Sequence, residues 1–516
     1  MQQSQSKQQV GGILGFIERI GNTIPDITIL FISAFLLVCV VSAVLAQIHF
    51  NYVHPATGRP IEITNMLSGK ALVDLMSKMV TNYANFPPLS MVIVATLGIG
   101  IADGSGYINT GLKKILSITP KVLITPVVIL VGMLSHLGPD SGYVIIIPIA
   151  AYMFYAVGKH PLAGIAASFA GIAGAFAANY TPSAIDPVIQ GFTQSAAQII
   201  DPGYQVNVLC NYFYAFASTF IVIGACWWVT EKITNPWLWK ACPLDDDLDL
   251  GNENNSSITP SENRAFKIAT AVLLLMLTGL AAALYPADSI LRAPDGVIAS
   301  FKAPIMQSIV SLIFIFAALV GLVYGIACGK FKSPKDVTAA MEEITKTLVQ
   351  LIVFYFFAAQ FLYAFGASNM GALIAVSGAE FLKSLNLPPQ VTVFGIIVFV
   401  ALLNLIITSA SAKWAILAPI FVPMLMAVGI APELTQVAFR VSDSAVNVVT
   451  PMFAFYPLII LYCQKYVKNA GIGTLSSMML PYTIALLVSL TFMLYLFWWL
   501  DIPLGFQADY VYPRRF

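Results

Sequence analysis

The sequence predicts an all-α polytopic membrane protein, with about nine transmembrane helices plus two oppositely oriented re-entrant hairpins in an inverted repeat. Three observations carry this expectation. The 516 residues are 58% hydrophobic and only 10% charged, with a mean hydropathy of +0.82, whereas soluble domains lie near ~45–50% apolar and ~25% charged. Uncharged apolar stretches of roughly eighteen residues or more, the length of a spanning helix, recur along the chain. Two long segments also repeat one another at a fixed offset of 271 residues.

The simple spans come first. Apolar runs occupy Ile27–Ala46, Phe86–Ala102, Val208–Thr230, Ile268–Tyr285, Ile305–Ala327, Thr347–Gly366 and Met478–Leu500, each near the ~20 residues a ~30 Å hydrocarbon core demands. The first lies behind 26 mostly polar residues and reads as a retained helix rather than a signal peptide. Two further regions, Val122–Asp186 and Val391–Tyr462, are apolar but interrupted by Gly, Pro, Ser and charge.

Basic residues orient the runs, because short cytoplasmic loops are enriched in Lys and Arg. Lys113, Lys114 and Lys121 form one cluster, Lys232, Lys240, Arg264 and Lys267 a second, and Lys330, Lys332, Lys335 and Lys346 a third. Residues 286–303 hold only Arg292 and Lys302, so this loop faces outside and the clusters and amino terminus inside. Residues 231–267 form a cytoplasmic linker whose acids, Asp245, Asp246, Asp247, Asp249 and Glu253, come in one polar block without His. That pattern reads as a solvated segment rather than a metal site. Thr259-Pro260-Ser261-Glu262 is a capping box with Pro at the first helical position, and Ser333-Pro334-Lys335-Asp336 is similar with Asp in place of Glu. Both mark helix starts.

The repeat is the strongest signal. Tyr143–Pro161 (YVIIIPIAAYMFYAVGKHP) and Trp414–Pro432 (WAILAPIFVPMLMAVGIAP) share eight of nineteen residues without a gap. Pro148 matches Pro419, Gly158 matches Gly429 and Pro161 matches Pro432. Each copy is preceded by an apolar run and a polar tip, Ser135–Gly142 in the first and Thr408–Lys413 in the second. Each is followed by a helix that breaks, at Asn179-Tyr180-Thr181-Pro182 and at Asn447-Val448-Val449-Thr450-Pro451. A polar tip between apolar arms reads as a re-entrant hairpin, and an interrupted apolar helix as a discontinuous span. The chain then divides into one integral membrane domain over 1–516, with the first hairpin and broken helix at 121–205 and the second at 391–465.

Topology agrees with this division. Lys121 and Lys159 place both feet of the first hairpin inside. Alternation of the spans then brings the second hairpin in from outside, so the copies are inverted. Irregular backbone is tolerated at membrane depth only where it is buried in protein or lines a watery cavity. Inverted repeats with broken helices are the architecture of secondary transporters, whose sites lie at the midplane among the broken ends.

Ionised residues at that depth cost at least ~2.5–3.5 kcal/mol and call for a partner or a function. Asp186, Arg440 and Asp443 sit in the two broken regions. Arg440 and Asp443, spaced i, i+3, can neutralise one another as a structural pair. Alternatively Asp443, with Asn447 one turn on, offers oxygens to a cation, while Arg440 meets a substrate carboxylate bidentately. Asp186 has no basic neighbour within a turn, which favours a cation or proton role, unless the break leaves it in water. Asn179 at the first break and Asp140 at the first tip, near His136, complete the candidate ion ligands, Asp140 alternatively capping the helix it precedes. Trp414 and Tyr143 occupy equivalent places beside the tips, where an aromatic ring stacks either on a ring-bearing substrate or on the protein.

Other chemistry is not signalled. The sequence contains no HExxH, no GxxxxGK[ST] and no nucleophile elbow. Cys39, Cys210, Cys226, Cys242, Cys328 and Cys463 are scattered singly without a CxxC pair and read as small packing residues. A net charge of +1 leaves no basic excess for nucleic acid. The rival readings are a channel, and an intramembrane hydrolase whose sole acid pair would be Asp140 with Asp443.

At the level of motifs the chain resembles the p-aminobenzoyl-glutamate transporter (AbgT) family. The resemblance is carried by Arg440-Val441-Ser442-Asp443-Ser444, by Ser409-Ala410-Ser411-Ala412-Lys413-Trp414 and by Ala418-Pro419-Ile420-Phe421-Val422-Pro423-Met424. Gly158-Lys159-His160-Pro161-Leu162-Ala163-Gly164, Ile185-Asp186-Pro187, the opening Ile17–Asn22 and the late Leu480-Pro481-Tyr482 agree with it. The resemblance implies a dimeric bacterial inner-membrane carrier of p-aminobenzoyl-glutamate, some relatives exporting sulfonamide antimetabolites, driven by Na⁺ or protons. It implies that Asp186, Ser411, Trp414, Pro432, Arg440, Asp443 and Pro451 line the substrate and ion path. The partners implied are a small aromatic carboxylate, the lipid bilayer and a second copy, with no cofactor beyond a bound Na⁺. Lys413 departs from the family pattern, which has a neutral residue there, so the tip is expected to favour anions.

Overall fold

The computed structural model describes residues 26–54, 58–137, 141–183, 185–245, 258–300 and 302–513. Among these residues, seven helical stretches are long and apolar enough to cross a bilayer, or nine if each of two bent helix pairs is one span. Each of the seven apolar runs read from the sequence overlaps one of these seven stretches. α1 (Ile27–Leu45) starts at Asp26, whose carboxylate accepts from the Thr28 N–H at 2.8 Å. α2 (Gly69–Ala84) runs into α3 (Pro87–Ser105) as one 37-residue stretch. α2 escapes a hydropathy reading because Lys70, Asp74 and Lys78 dilute its apolar face, the last two pairing at 2.9 Å.

α4 (Tyr107–Ser117) and α5 (Ile124–Leu134) form the first bent pair, at 120°. α6 (Ser141–Ala156), α7 (Pro161–Ala173) and α8 (Ile185–Ala197) complete the first repeat. α9 (Tyr212–Val229) passes through a π-turn at Thr230–Thr234 into α10 (Asn235–Ala241). α11 (Pro260–Leu284) opens with the capping box read from the sequence. Thr259 Oγ1 accepts from the Glu262 N–H at 3.3 Å, and Glu262 accepts from the Thr259 N–H at 2.8 Å. α12 (Ile309–Ala327) precedes the amphipathic α13 (Pro334–Lys346), where Asp336 accepts from the N–H groups of Lys332 and Ser333 at 2.7 and 2.8 Å. α14 (Val349–Ala367) leads to the second bent pair, α15 (Met370–Ser384) with α16 (Pro389–Asn404), at 116°. α17 (Ala410–Met426), α18 (Pro432–Val446), α19 (Tyr456–Gln464) and α20 (Ile472–Trp499) finish the chain. Of the acidic linker, residues 246–257 lie outside the described residues, as does Asp140.

The sequence repeat is also a backbone repeat. Pro161 and Pro432 open α7 and α18, and Ile185 and Tyr456 open α8 and α19, both pairs 271 residues apart. The turn before each prolyl helix is the same motif. Gly158 and Gly429 adopt φ of +78° and +88°, a region that costs a glycine nothing but strains a Cβ. Around each, N–H bonds reach back to the preceding helix: Gly158 to Tyr155 and Lys159 to Phe154, Gly429 to Met426 and Ile430 to Leu425. These paired bonds are the Schellman closure of a helix, so the matched glycines have a backbone reason to match.

At the centre lie α7 and α18, every residue of which is buried. α5 packs on α7 as α16 packs on α18. The first contact is close because it is made through glycine: a Cβ on Gly171 would sit 2.5 Å from the Ile129 carbonyl oxygen.

Candidate functional site

α7 is apolar on every face and is buried for that reason. α18 is equally buried yet carries Glu433, Arg440, Ser442, Asp443 and Ser444. Such groups stay inside only if hydrogen-bonded or paired. Glu433 receives the Tyr204 hydroxyl at 2.9 Å, and Ser442 donates to the Ile397 carbonyl at 2.7 Å.

The broken helices leave carbonyls that no intrahelical N–H can serve. At the first break, Arg440 Nη2 donates to the Phe176 oxygen at 3.1 Å and the Tyr212 hydroxyl to the Tyr180 oxygen at 2.8 Å. His136, on the first tip, spans the same break, one ring nitrogen 2.7 Å from the Ile172 oxygen and the other 2.7 Å from Asn179 Oδ1. At the second, it is the break that donates, the Thr450 hydroxyl reaching the Leu405 oxygen at the end of α16 at 2.7 Å.

Between the two tips and the two breaks lies a cavity of about 440 Å³. Ser135 and His136 reach it from the first tip and Thr408, Ser409 and Ser411 from the second. α18 supplies Arg440, Asp443, Ser444 and, just beyond its end, Asn447. Aromatic wall comes from Tyr143, Phe176, Phe439, Phe453 and Phe455, with the Tyr143 and Phe455 rings stacked at 4.1 Å and 6°.

The charged residues pair differently from the i, i+3 alternative. Arg440 Nη1 lies 2.7 Å from Asp186 Oδ1, both side chains nearly buried at 8% and 12% exposure. Asp186 Oδ2 accepts in addition from the Ser183 N–H at 2.7 Å and the Ser183 hydroxyl at 3.0 Å. Asp186 therefore has a cationic partner after all, supplied from the other repeat, a contact invisible to local spacing. Asp443 pairs instead with Lys413, Nζ to Oδ1 at 2.7 Å, at 4% and 0% exposure. Lys413 Nζ also donates to Asn404 Oδ1, while Asn404 Nδ2 donates to the Asp443 carbonyl at 2.8 Å and to Asn447 Oδ1 at 3.1 Å. Adjacent acid and base on α18 thus point to different partners, because each has an opposite charge within contact distance on another element.

The remaining candidates divide. Ser411, Arg440, Asp443 and Asn447 line the main cavity, whereas Asn179 and Asp186 border a small adjoining pocket with Arg440. Trp414 is fully buried, its ring stacked on Phe439 at 4.4 Å and its indole N–H donating to Thr193 at 2.9 Å. Here it packs against protein, and it is Tyr143, its counterpart in the first repeat, whose ring reaches the wall. Pro432 opens α18 and Pro451 lies in the second break, neither on the cavity wall. Asn404 and the cavity position of His136 were not foreseen. An asparagine in an apolar span is the signal that marks Asn404.

The model of the AbgT transporter family matches residues 12–512. The chain belongs to the AbgT family of transporters. The p-aminobenzoyl-glutamate transport protein of Escherichia coli (strain K12) is 32% identical over 511 residues, covering 99% of this chain and 98% of that protein. The solved YdaH transporter of Alcanivorax borkumensis, described as having an unusual topology, superposes with a TM-score of 0.87 at 37% identity, covering 93% of this chain and all of that one. MtrF of Neisseria gonorrhoeae, described as illuminating a class of antimetabolite efflux pumps, superposes with a TM-score of 0.90 at 39% identity over 96% of this chain and 100% of its own. This AbgT-family protein is therefore a multi-pass membrane transporter and not an enzyme, consistent with the bacterial inner membrane.

Among the described residues of this AbgT-family transporter, no group of three or more His, Cys, Asp or Glu is placed to hold a metal ion. Of the residues expected to bind Na⁺, Asp443 and Asn447 cluster with Asn404 around the Lys413 ammonium, Asn179 Oδ1 lies 2.7 Å from a His136 ring nitrogen, and Asp140 lies outside the described residues. The Asp443, Asn447 and Asn404 donor set is already neutralised by Lys413 and does not fit a further cation.

Proposed function

We propose that this transporter carries p-aminobenzoyl-glutamate and related aromatic antimetabolites by alternating access, energised by an ion gradient. The observation that carries this reading is the Arg440 guanidinium on the cavity wall beside aromatic rings. A guanidinium matches a carboxylate in bidentate geometry, and Tyr143, Phe453 and Phe455 offer faces to an aminobenzoyl ring. Asp186 holds Arg440 in place until a substrate carboxylate competes for it. In this reading α5 with α6, and α16 with α17, are the arms of two oppositely directed re-entrant hairpins within nine spans. The repeats at 121–205 and 391–465 move relative to one another, the 231–267 linker stays cytoplasmic, and two copies assemble as a homodimer.

The likeness to MtrF supports outward movement of sulfonamide-type antimetabolites as a second reading of the same cavity. Uptake of labelled p-aminobenzoyl-glutamate into proteoliposomes tests both. Gradient-driven accumulation that Arg440→Ala abolishes supports the carrier and its clamp. Normal transport by Arg440→Ala removes the clamp, and sulfonamide flux without p-aminobenzoyl-glutamate flux moves the assignment to efflux.

A further inference from the structure

The geometry points to Lys413 as a tethered cation that takes the place of Na⁺ beside the second tip, so that this transporter does not draw on a Na⁺ gradient. The inference rests on the reading that the chain is ion-coupled and decides which ion is left out. Lys413 belongs to α17, the helix that follows the tip, two residues beyond cavity-lining Ser411. Its side chain is wholly buried and ends against Asp443 Oδ1 at 2.7 Å and Asn404 Oδ1. Asn404 is turned by this contact. With its oxygen toward the ammonium, its amide nitrogen serves the Asp443 carbonyl and Asn447 Oδ1. One positive charge thus organises oxygen-bearing side chains from α16, α18 and the second break, the work an alkali cation performs in a polar cage.

The charge balance leaves no place for a second cation. Arg440 with Asp186 and Lys413 with Asp443 are two buried, mutually neutral pairs. A Na⁺ ion entering the cluster would face an ammonium without a spare carboxylate, and hard cations bind by shedding water for oxygen ligands. A covalently attached ammonium also differs in kind from a dissociable ion. It pins α17 to α16 and α18 at any external Na⁺ concentration, so the tip's position no longer reports that concentration.

Thermal melting of the purified protein in detergent, without substrate, tests this in NaCl, KCl and choline chloride at equal ionic strength. The wild type is expected to melt at one temperature in all three. Lys413→Ser, which leaves Asp443 unpaired and opens space, is expected to gain a saturable, Na⁺-specific rise of about 2–4 °C. Lys413→Arg retains the charge and is expected to show no such rise. A saturable Na⁺-specific rise in the wild type overturns the inference, as does a Lys413→Ser protein indifferent to Na⁺.

Should Lys413→Ser fail to fold, wild-type proteoliposomes decide. Accumulation of labelled p-aminobenzoyl-glutamate under a proton gradient alone supports the inference, and accumulation under a Na⁺ gradient at equal pH overturns it. Absence of accumulation under every gradient counts against the substrate assignment, while the substrate-free wild-type melt still judges Lys413.

Discussion

Removing one member of the Arg440–Asp186 pair is expected to cost far more than removing both. The two charges lie 2.7 Å apart with side chains 8% and 12% exposed, so solvent screens them little. Asp186→Ala abolishes the ion pair and strands a guanidinium whose other contact is the Phe176 carbonyl at 3.1 Å. An uncompensated charge at such a site costs about 3–5 kcal/mol, whereas replacing a whole buried pair by apolar side chains is near neutral. For a chain of 516 residues, the average unfolding entropy per residue converts that cost to a fall of about 3–5 °C in Tm. The double variant Asp186→Leu with Arg440→Met is therefore expected to melt closer to wild type than either single change. The assay is a double-mutant cycle on thermal melts in one detergent, run at one scan rate because membrane proteins rarely refold afterwards. Additive single effects, with a coupling below about 0.5 kcal/mol, would refute the claim that these charges neutralise one another across the repeats.

Three further outcomes rest on local geometry. Gly171→Ala places a methyl 2.5 Å from the Ile129 carbonyl oxygen and is expected to destabilise by about 1–3 kcal/mol. Gly279→Ala in α11, with nothing within 4 Å, is expected to stabilise by about 0.4–1 kcal/mol; melts in which Gly171→Ala is the better tolerated would overturn the close packing of α5 on α7. At α13, the N–H groups of Lys332 and Ser333 hold the Asp336 carboxyl below its ordinary value of 3.8. A lowered folded pKa gives stability that is present above 3.8 and lost as pH falls through the lowered value. Amide protection in the first turn of α13, measured against the intrinsic exchange rate at each pH, should therefore fall in that acid window, and in Asp336→Ala it should be low at every pH.

The sequence by itself determined the class, the long apolar runs and the repeated helix starts. Spanning helices are dictated by composition over ~20 residues, so Ile27–Ala46 or Met478–Leu500 is legible without any neighbour. The repeat was legible because its markers act on local backbone: Gly158 and Gly429 are needed for positive φ, and Pro161 and Pro432 open helices. The capping boxes at Thr259 and Ser333 were legible for the same reason. The polar interruptions also located the cavity, since broken backbone needs partners that a bare lipid environment does not supply.

Only the tertiary structure decided who partners whom. Local spacing offered Arg440 to Asp443, yet Arg440 reaches Asp186, 254 positions earlier, and Asp443 takes Lys413. It placed Trp414 inside the protein and left Tyr143 at the wall, although the repeat makes them equivalent. It turned Asp443, one of the expected cation ligands, toward an ammonium already in the chain. Period and propensity are properties of neighbouring residues, whereas charge pairing and exposure depend on which helices the fold brings together. A buried charge takes the partner that packing sets within about 3 Å of it, at whatever separation along the chain.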